Sequence, residues 1–257
     1  MPFSRDRMVK LRIICNDAAL NPCNSSTLFH IMNFSGNFSH IGNVDLAELR
    51  KLVLNLTEIQ WDSFSTRQNV YEVHQHTKTI GLVYDLDFRH SHPTRLPTLQ
   101  IFEAALRPTL WMIADHFEKT ETGQQLVKEN NLGYFIRASL VRLAAGCSIA
   151  EHRDMNFSLT HSHRIHLPII TNEDVWFTVG GESINLKEGQ LYEINNRRLH
   201  SVHNKGGEDR VHLILDYVLP GEQCCCAAKQ HPDTRCSPQA CFDTVLLKIP
   251  CTCHPET

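Results

Sequence analysis

The feature that most constrains the fold of this chain is a run of short apolar segments after Gly133, each separated from the next by a turn. The segments alternate in polarity or are rich in β-branched residues, and glycines such as Gly181 and Gly189 lie between them. Six or more short strands at this spacing are typical of a sandwich or barrel. We therefore predict a mainly β fold with flanking helices, specifically a double-stranded β-helix, the jelly roll also found in cupins. The segments are YFIRASLVRL, RIHLPII, VWFTVGG, SINLKEGQLYEI, LHSVHN and RVHLILDYV.

The half of the chain before Gly133 predicts helices that brace this β core. Apolar residues recur at helical spacing over 45–56, and Asn43 or Asp45 would cap the start. A second helical pattern covers 99–117, where we expect Pro108 to kink or restart the helix. Between the two helices, residues 73–85 alternate and then become apolar, which favours a strand. Both helices are expected to pack on one sheet face from outside.

The lack of a sustained period over residues 1–40 and the crowding of cysteines at the other end suggest three parts: an N-terminal extension over 1–40, a jelly-roll domain with N-terminal helices over 41–222, and a Cys-rich tail over 223–257. Seven of the ten cysteines lie in the tail. The tail lacks the paired C-x-x-C spacing of structural zinc sites. An atypical extension is therefore favoured over a zinc module.

The charge balance argues against polyanionic partners. Lys and Arg number 25 against 28 Asp and Glu, a formal charge of −3, so no basic field would attract nucleic acid or an anionic membrane. No apolar stretch approaches the roughly 18 residues of a membrane span, and the start lacks a signal-peptide core. We expect a cytoplasmic protein that binds neither nucleic acid nor membranes.

A candidate metal site begins at His152 and Asp154, which are two positions apart and would share one face of an extended strand. His200 follows 48 residues after His152, a separation that four short strands could fold back. Two imidazoles and one carboxylate on one face of an octahedral ion form the facial triad of non-haem Fe(II) oxygenases, with room for O₂ and a 2-oxo acid. Alone, the pattern is weak in a chain with 16 histidines, where surface or core histidines are the plain alternative.

Basic side chains near this pattern strengthen the hypothesis. In RVHLILDYV, strand alternation would place Arg210, His212 and Ile214 on one face, and the planar fork of Arg210 could bind the far carboxylate of 2-oxoglutarate. Arg164 and His166 are again two positions apart and could contact the other carboxylate or a metal-bound oxygen. A solvated arginine and a satisfied core histidine remain the alternatives.

Several motifs in order resemble the aspartyl/asparaginyl β-hydroxylase family, including bacterial proline and amino-acid hydroxylases. They are H-x-D at His152, R-x-H-x-P-I at Arg164, N-x-x-x-H-S-V-x-N around His200 and D-R-x-H-L-I-L-D at Arg210, within residues 140–218. The resemblance implies a jelly-roll oxygenase that binds Fe(II) through His152, Asp154 and His200. It also implies 2-oxoglutarate as cosubstrate, bound by Arg210 with help from Arg164 and His166, and O₂.

One departure from the family bears on the substrate. The best-known animal members lack the carboxylate ligand, so Asp154 favours the bacterial small-molecule branch. The main prediction is hydroxylation of an unactivated C–H of a small-molecule amino acid, free or carrier-bound, with Arg89 and Asn156 as candidate substrate contacts. The alternatives are a peptidyl Asp, Asn or Pro hydroxylase and a non-catalytic cupin-like module that binds a metal and a carboxylate.

Overall fold

The structure is a computed structural model, and it describes residues 34, 36–64, 75–85, 93–154, 159, 161–222, 230–231 and 234–235. The helices in these ranges are α1 (Ala47–Leu54), α2 (Glu58–Trp61), α3 (Leu99–Glu118) and α4 (Glu121–Glu129). The strands are β1 (Phe38–Asn43), β2 (Thr77–Tyr84), β3 (Thr94–Arg95), β4 (Tyr134–Leu143), β5 (Ser148–His152), β6 (His163–Ile170), β7 (Val175–Val179), β8 (Glu182–Ile184), β9 (Gln190–Ile194), β10 (His200–Asn204), β11 (Arg210–Val218), β12 (Gln230–His231) and β13 (Thr234–Arg235).

Two antiparallel sheets form the β core. The larger has seven strands in the order β1-β9-β6-β11-β4-β2-β3, and the smaller has four in the order β5-β10-β7-β8. A buried apolar cluster joins the sheets, with Leu143 and Ile194 from the larger and Phe177 and Val202 from the smaller. The strand pairs are antiparallel, and from β4 to β11 the chain changes sheet at every step except from β7 to β8, so the predicted jelly roll is confirmed.

The six predicted strand segments are all strands, with small changes at their ends. The segment 183–194 forms two strands, β8 and β9, because a turn at Gly189 with a φ of 74° separates them. Periodicity did not reveal two further strands, β1 and β5. β5 is too short for a period to show, and β1 is defined by its pairing with β9. β1 begins at Phe38, so it crosses the boundary at residue 41 that the sequence suggested.

The two predicted helices pack on the outer face of the larger sheet. Leu49 and Val53 of α1 and Phe102 and Leu106 of α3 are buried in one cluster with residues of that sheet such as Leu213. This confirms the bracing role predicted for them. No helix in the described part of the chain is long and apolar enough to span a membrane.

The start of α1 has a capping side chain that the sequence predicted. The Asp45 Oδ1 accepts a hydrogen bond of 2.9 Å from the Ala47 amide, so this carboxylate satisfies an open donor at the start of α1, as expected of a capping side chain.

Pro108 lies inside α3, which continues through it from Leu99 to Glu118. The predicted restart at Pro108 is therefore wrong. The exposed position leaves room for the proline ring, and both ends of the helix are anchored by buried side chains.

Candidate metal centre and cavity

Two adjacent strands of the smaller sheet bring the predicted histidines together. His152 is the last residue of β5 and His200 the first of β10, and the two are direct cross-strand partners. Their ring centroids are 4.3 Å apart. Asp154 lies two residues beyond β5, where its amide donates to the Asn196 carbonyl over 3.4 Å. One ligand atom from each of His152, Asp154 and His200 lies within 4.8 Å of the others.

Backbone carbonyls fix the orientation of both imidazoles. The Nδ1 of His152 lies 2.8 Å from the Ala150 oxygen, and the Nδ1 of His200 lies 2.9 Å from the Arg198 oxygen. A carbonyl oxygen only accepts, so each Nδ1 carries the proton and each Nε2 presents a lone pair. Burial lowers the pKa of His200, which keeps this ring neutral and able to bind a metal.

Two donors hold the carboxylate of Asp154. Its Oδ2 accepts from Arg164 Nη1 at 2.8 Å and from Asn196 Nδ2 at 3.2 Å. Burial would raise the pKa of Asp154, but the positive charge of Arg164, the neighbouring rings of His200 and His152 and the Asn196 hydrogen bond bring it well below its usual range. The carboxylate is therefore ionised across the physiological range.

Arg164 in turn is held by a second carboxylate. Its Nε and Nη2 donate to the two oxygens of Asp216 at 2.8 and 2.9 Å. All three guanidinium nitrogens thus bind carboxylates, and the geometry toward Asp216 is the bidentate fork that arginine favours. The pKa of Arg164, which burial alone would lower, is raised by Asp154 and Asp216.

A cavity of about 380 Å³ opens beside these ligand atoms. Its polar lining consists of His152, Arg164, His166, His200 and Arg210, and its apolar lining consists of Val141, Ile149, Phe177, Ile194, Val202 and Ile214. Arg210 is 1% exposed. Its guanidinium makes this part of the cavity wall positively charged, which favours an anionic ligand.

His166 is one of the residues that line this cavity. Its Nδ1 lies 3.4 Å from His212 Nδ1, and its Nε2 makes no hydrogen bond within the described part of the chain. Burial and the charge of Arg210 lower the pKa of both histidines well below the usual value. A neutral ring with one unsatisfied buried nitrogen is what a cavity for a polar ligand presents.

The structure thus brings together six of the eight residues predicted for the site: His152, Asp154, His200, Arg164, His166 and Arg210. The other two, Arg89 and Asn156, lie outside the described residues. Sequence reasoning gave no role to Asn196 or Asp216, although both occur inside the motifs quoted above. Asn196 stands in N-x-x-x-H and Asp216 ends D-R-x-H-L-I-L-D, so their places in the motifs were the available signal.

The donor set fits a ferrous ion. Two imidazole Nε2 atoms and one carboxylate can occupy one face of an octahedron and leave three positions for other ligands. A jelly roll with such a half-filled set and a buried cation deeper in its cavity is typical of non-haem oxygenases that use Fe(II), 2-oxoglutarate and O₂. The chain is an enzyme of this class.

A comparison with protein-family models finds one match. Residues 115–220 match the family model described as aspartyl/asparaginyl beta-hydroxylase. This match agrees with the resemblance that the motifs of the chain indicate. No curated protein matches the chain in sequence.

Solved structures share the fold at low sequence identity. An oxidoreductase of the 2OG-Fe(II) oxygenase family from Burkholderia pseudomallei has a TM-score of 0.50 at 12% identity, covering 69% of this chain and 79% of that one. The viral collagen prolyl hydroxylase of Paramecium Bursaria Chlorella virus-1 has a TM-score of 0.43 at 9% identity, covering 71% and 96% of the two chains. A prolyl hydroxylase from Trichoplax adhaerens has a TM-score of 0.45 at 12% identity, covering 71% and 84%.

Proposed function

We propose that the protein hydroxylates an unactivated C–H bond of an amino acid, free or carrier-bound. The observation that carries this proposal is the convergence of His152, Asp154 and His200 within 4.8 Å on a cavity whose lining also contains Arg210. The match to the hydroxylase family model supports the reaction type, and the ionised third ligand Asp154 supports the small-molecule branch.

Each polar group of the cavity has a proposed role. His152, Asp154 and His200 hold Fe(II), and the guanidinium of Arg210 binds the far carboxylate of 2-oxoglutarate. When bound, the iron and cosubstrate would together activate O₂ for the oxidation of a C–H bond, and 2-oxoglutarate would be converted to succinate and CO₂. His166 presents its unused Nε2 to the cosubstrate.

Arg164 has a supporting role beside its predicted contact with the cosubstrate. Through its hydrogen bond to Oδ2, it fixes the rotamer of Asp154. Partners of this kind orient ligands and tune their basicity. The apolar lining, including Phe177 and Val202, excludes water from the reacting groups.

A second candidate substrate is an aspartyl or asparaginyl residue within a protein, which the name of the matched family favours. The two candidates differ in what surrounds the reacting carbon: a free amino acid carries its own carboxylate and ammonium, whereas a peptide residue carries amides. A substrate panel that contains both kinds therefore separates them.

The test measures succinate release with Fe(II), O₂ and 2-oxoglutarate over a panel of free amino acids and Asp-, Asn- and Pro-containing peptides. We expect stimulation by a free amino acid and loss of turnover by at least 100-fold in His152→Ala, because one of three ligands is removed. The matched control is His203→Gln, on the neighbouring strand β10 but exposed and bonded to Ser148. Stimulation by peptides alone would overturn the free-amino-acid proposal, and unchanged turnover in His152→Ala would overturn the site.

A further inference from the structure

We propose that His212 fixes the ring proton of His166 on Nε2, so that His166 donates a hydrogen bond from this nitrogen to 2-oxoglutarate. This inference rests on the proposed function, in which His166 contacts the cosubstrate, and it adds a positioning residue behind that contact. Both histidines lie on the inner face of the larger sheet, which is the face toward the smaller sheet. They occupy neighbouring strands, His166 on β6 and His212 on β11.

The pairing of β6 with β11 brings the two rings together. His166 lies opposite Ile214, and His212 is two residues before Ile214 on the same strand, so the histidines are diagonal neighbours on one face. The register shifts next to His212, whose own partner is Pro168. A proline fits such a bulge because it has no N–H to donate to the ladder. The bulge bends the strand locally and changes the direction of nearby side chains, which lets two large rings on adjacent strands approach each other.

The contact between the two rings holds one proton. The Nδ1 atoms are 3.4 Å apart, and the ring planes are nearly perpendicular, at 82°. Burial and the charge of Arg210 lower the pKa of both histidines well below the usual value, so each ring is neutral and has one N–H. Two N–H groups or two lone pairs facing each other at this distance would repel. One ring therefore donates through Nδ1, and the other accepts there and carries its own proton on Nε2.

The ligand decides between the two arrangements. The oxygens of the 2-oxoglutarate dianion only accept hydrogen bonds, so a lone pair on the Nε2 of His166 would repel them. When His212 is the donor, His166 is protonated on Nε2 and can donate to an anionic oxygen. Because a hydrogen bond to a charged acceptor is stronger than one between neutral groups, the bound cosubstrate favours this arrangement.

The ring of His166 is also held from the smaller sheet. Phe177 meets it edge to face, with 5.1 Å between the ring centroids and an angle of 79° between the planes. With contacts to Phe177 on one strand and His212 on another, His166 loses little conformational freedom when it binds a ligand.

Packing alone does not account for a histidine at position 212. His212 is fully buried, and its Nε2 makes no hydrogen bond within the described part of the chain. Its partners across the strands are Val141 on β4 and Pro168 on β6, both apolar. An apolar side chain would fill this place at lower cost, because a buried polar group with few partners destabilises a fold. The contact with His166 supplies the reason for an imidazole here.

The test compares three replacements of His212 that keep different parts of its hydrogen-bonding pattern. His212→Asn places an amide N–H near the position of Nδ1, His212→Gln places one near Nε2, and His212→Leu has neither. Calorimetry measures the binding of 2-oxoglutarate to protein loaded with Mn(II), without O₂. The control is His203→Asn, on β10 and exposed. The Mn(II) affinity of each variant verifies that the metal site is intact.

We expect His212→Leu and His212→Gln to bind 2-oxoglutarate about tenfold more weakly than wild type, because the charge-assisted hydrogen bond from His166 loses its fixed donor. His212→Asn and the control should stay within about threefold of wild type. Equal affinity in every variant, or an Asn variant as weak as the Leu variant, would overturn the inference while leaving the proposed function intact. If wild type with bound Mn(II) does not bind 2-oxoglutarate, the proposed function fails together with this inference.

A second measurement identifies the protonated nitrogen directly. Nitrogen NMR of protein with isotope-labelled histidine rings distinguishes Nδ1–H from Nε2–H, and Zn(II) serves as a diamagnetic metal in the complex with 2-oxoglutarate. The spectra of His166→Asn and His212→Asn assign the two rings. We expect His166 in the Nε2–H form and His212 in the Nδ1–H form in the wild-type complex. The opposite form of either ring would contradict the inference.

Discussion

At the residue scale, the predicted metal carboxylate depends on groups that do not themselves reach the metal. Asp154 is oriented by Arg164, and Arg164 is oriented by both oxygens of Asp216. Asp216 is fully buried, so its charge is compensated only by neighbouring side chains such as Arg164 and Arg137. The geometry of the metal ligands therefore depends on two further residues, Arg164 and Asp216.

We expect Asp216→Asn to weaken binding of Co(II) or Mn(II) by about 10- to 100-fold, the usual effect of losing an outer partner of a metal ligand. Without the second carboxylate, Arg164 no longer has a fixed orientation toward Asp154. Calorimetric titration of the apoprotein measures this. Glu188→Gln is the matched control, because Glu188 forms a partly exposed pair with Arg50. Unchanged metal affinity in a folded Asp216→Asn protein would contradict the role.

A second buried residue makes the stability depend on pH. His163 lies between Glu193 and Glu222. Its Nδ1 is 2.7 Å from a Glu193 oxygen, and its Nε2 is 2.7 Å from a Glu222 oxygen. The ring also stacks on Phe117, with 3.9 Å between the ring centroids. Burial alone would lower the pKa of His163, but the two carboxylates raise it to about 9. The folded protein thus holds a proton that the unfolded chain releases near pH 6.5.

Because the folded pKa is the higher one, this contribution to the free energy of unfolding is complete below about pH 6.5 and is lost as pH rises through about 9. A shift of this size corresponds to about 3 kcal/mol. Urea unfolding at pH 6, 7, 8 and 9 should show the decline in wild type and a shallower one in Glu222→Gln, which loses one carboxylate. Equal slopes for the two proteins would show that His163 is not the titrating group.

The residue scale also shows where sequence reasoning succeeds and where it stops. His152, Asp154, His200 and Arg210 were predictable because their spacing relative to the strands is local information. The ion pairs of Arg137 were not, because an arginine in YFIRASLVRL has no local partner and acquires Asp85 and Asp216 only through strand pairing. A one-residue change of register would turn Arg137 to the other face of the sheet.

At the element scale, the backbone at the start of α4 lies directly against the backbone at the end of α3. Thr120 caps α4 by accepting from the Gly123 amide at 2.9 Å. A Cβ at Gly123 would lie 2.0 Å from the Phe117 oxygen and 2.8 Å from Thr120 Oγ1. The helices can meet at this angle only if position 123 has no side chain.

Gly123→Ala should therefore destabilise the protein by about 2 kcal/mol, although alanine normally stabilises a helix interior relative to glycine by about 1 kcal/mol. Chemical denaturation measures the difference. Gly207→Ala is the control, since a Cβ there meets nothing within 4 Å, and a change within about 0.5 kcal/mol is expected. A stabilised Gly123→Ala protein would mean that the helix junction rearranges.

At the scale of the whole molecule, the larger sheet separates two environments. Its outer face meets α1 and α3 in the main apolar cluster, whereas its inner face carries the charged residues Arg164 and Asp216, the cavity and a smaller apolar cluster shared with the second sheet. The many buried polar groups on the inner face are costly for stability. The apolar cluster on the outer face, to which α1 and α3 contribute, stabilises the fold and offsets part of that cost.

The last strand of this core, β11, leads directly to the tail, and Glu222 marks where the folded domain is proposed to end. A truncation after Gln223 keeps the bond from His163 to Glu222, so its free energy of unfolding should stay within about 0.5 kcal/mol of the full chain. A truncation after Leu219 removes Glu222 and leaves His163 with one carboxylate, which should cost about 3 kcal/mol. Denaturation at pH 7 compares the two. Equal stability of both truncated proteins would show that residues 220–222 do not belong to the domain, and a large loss in the first would place part of the tail inside it.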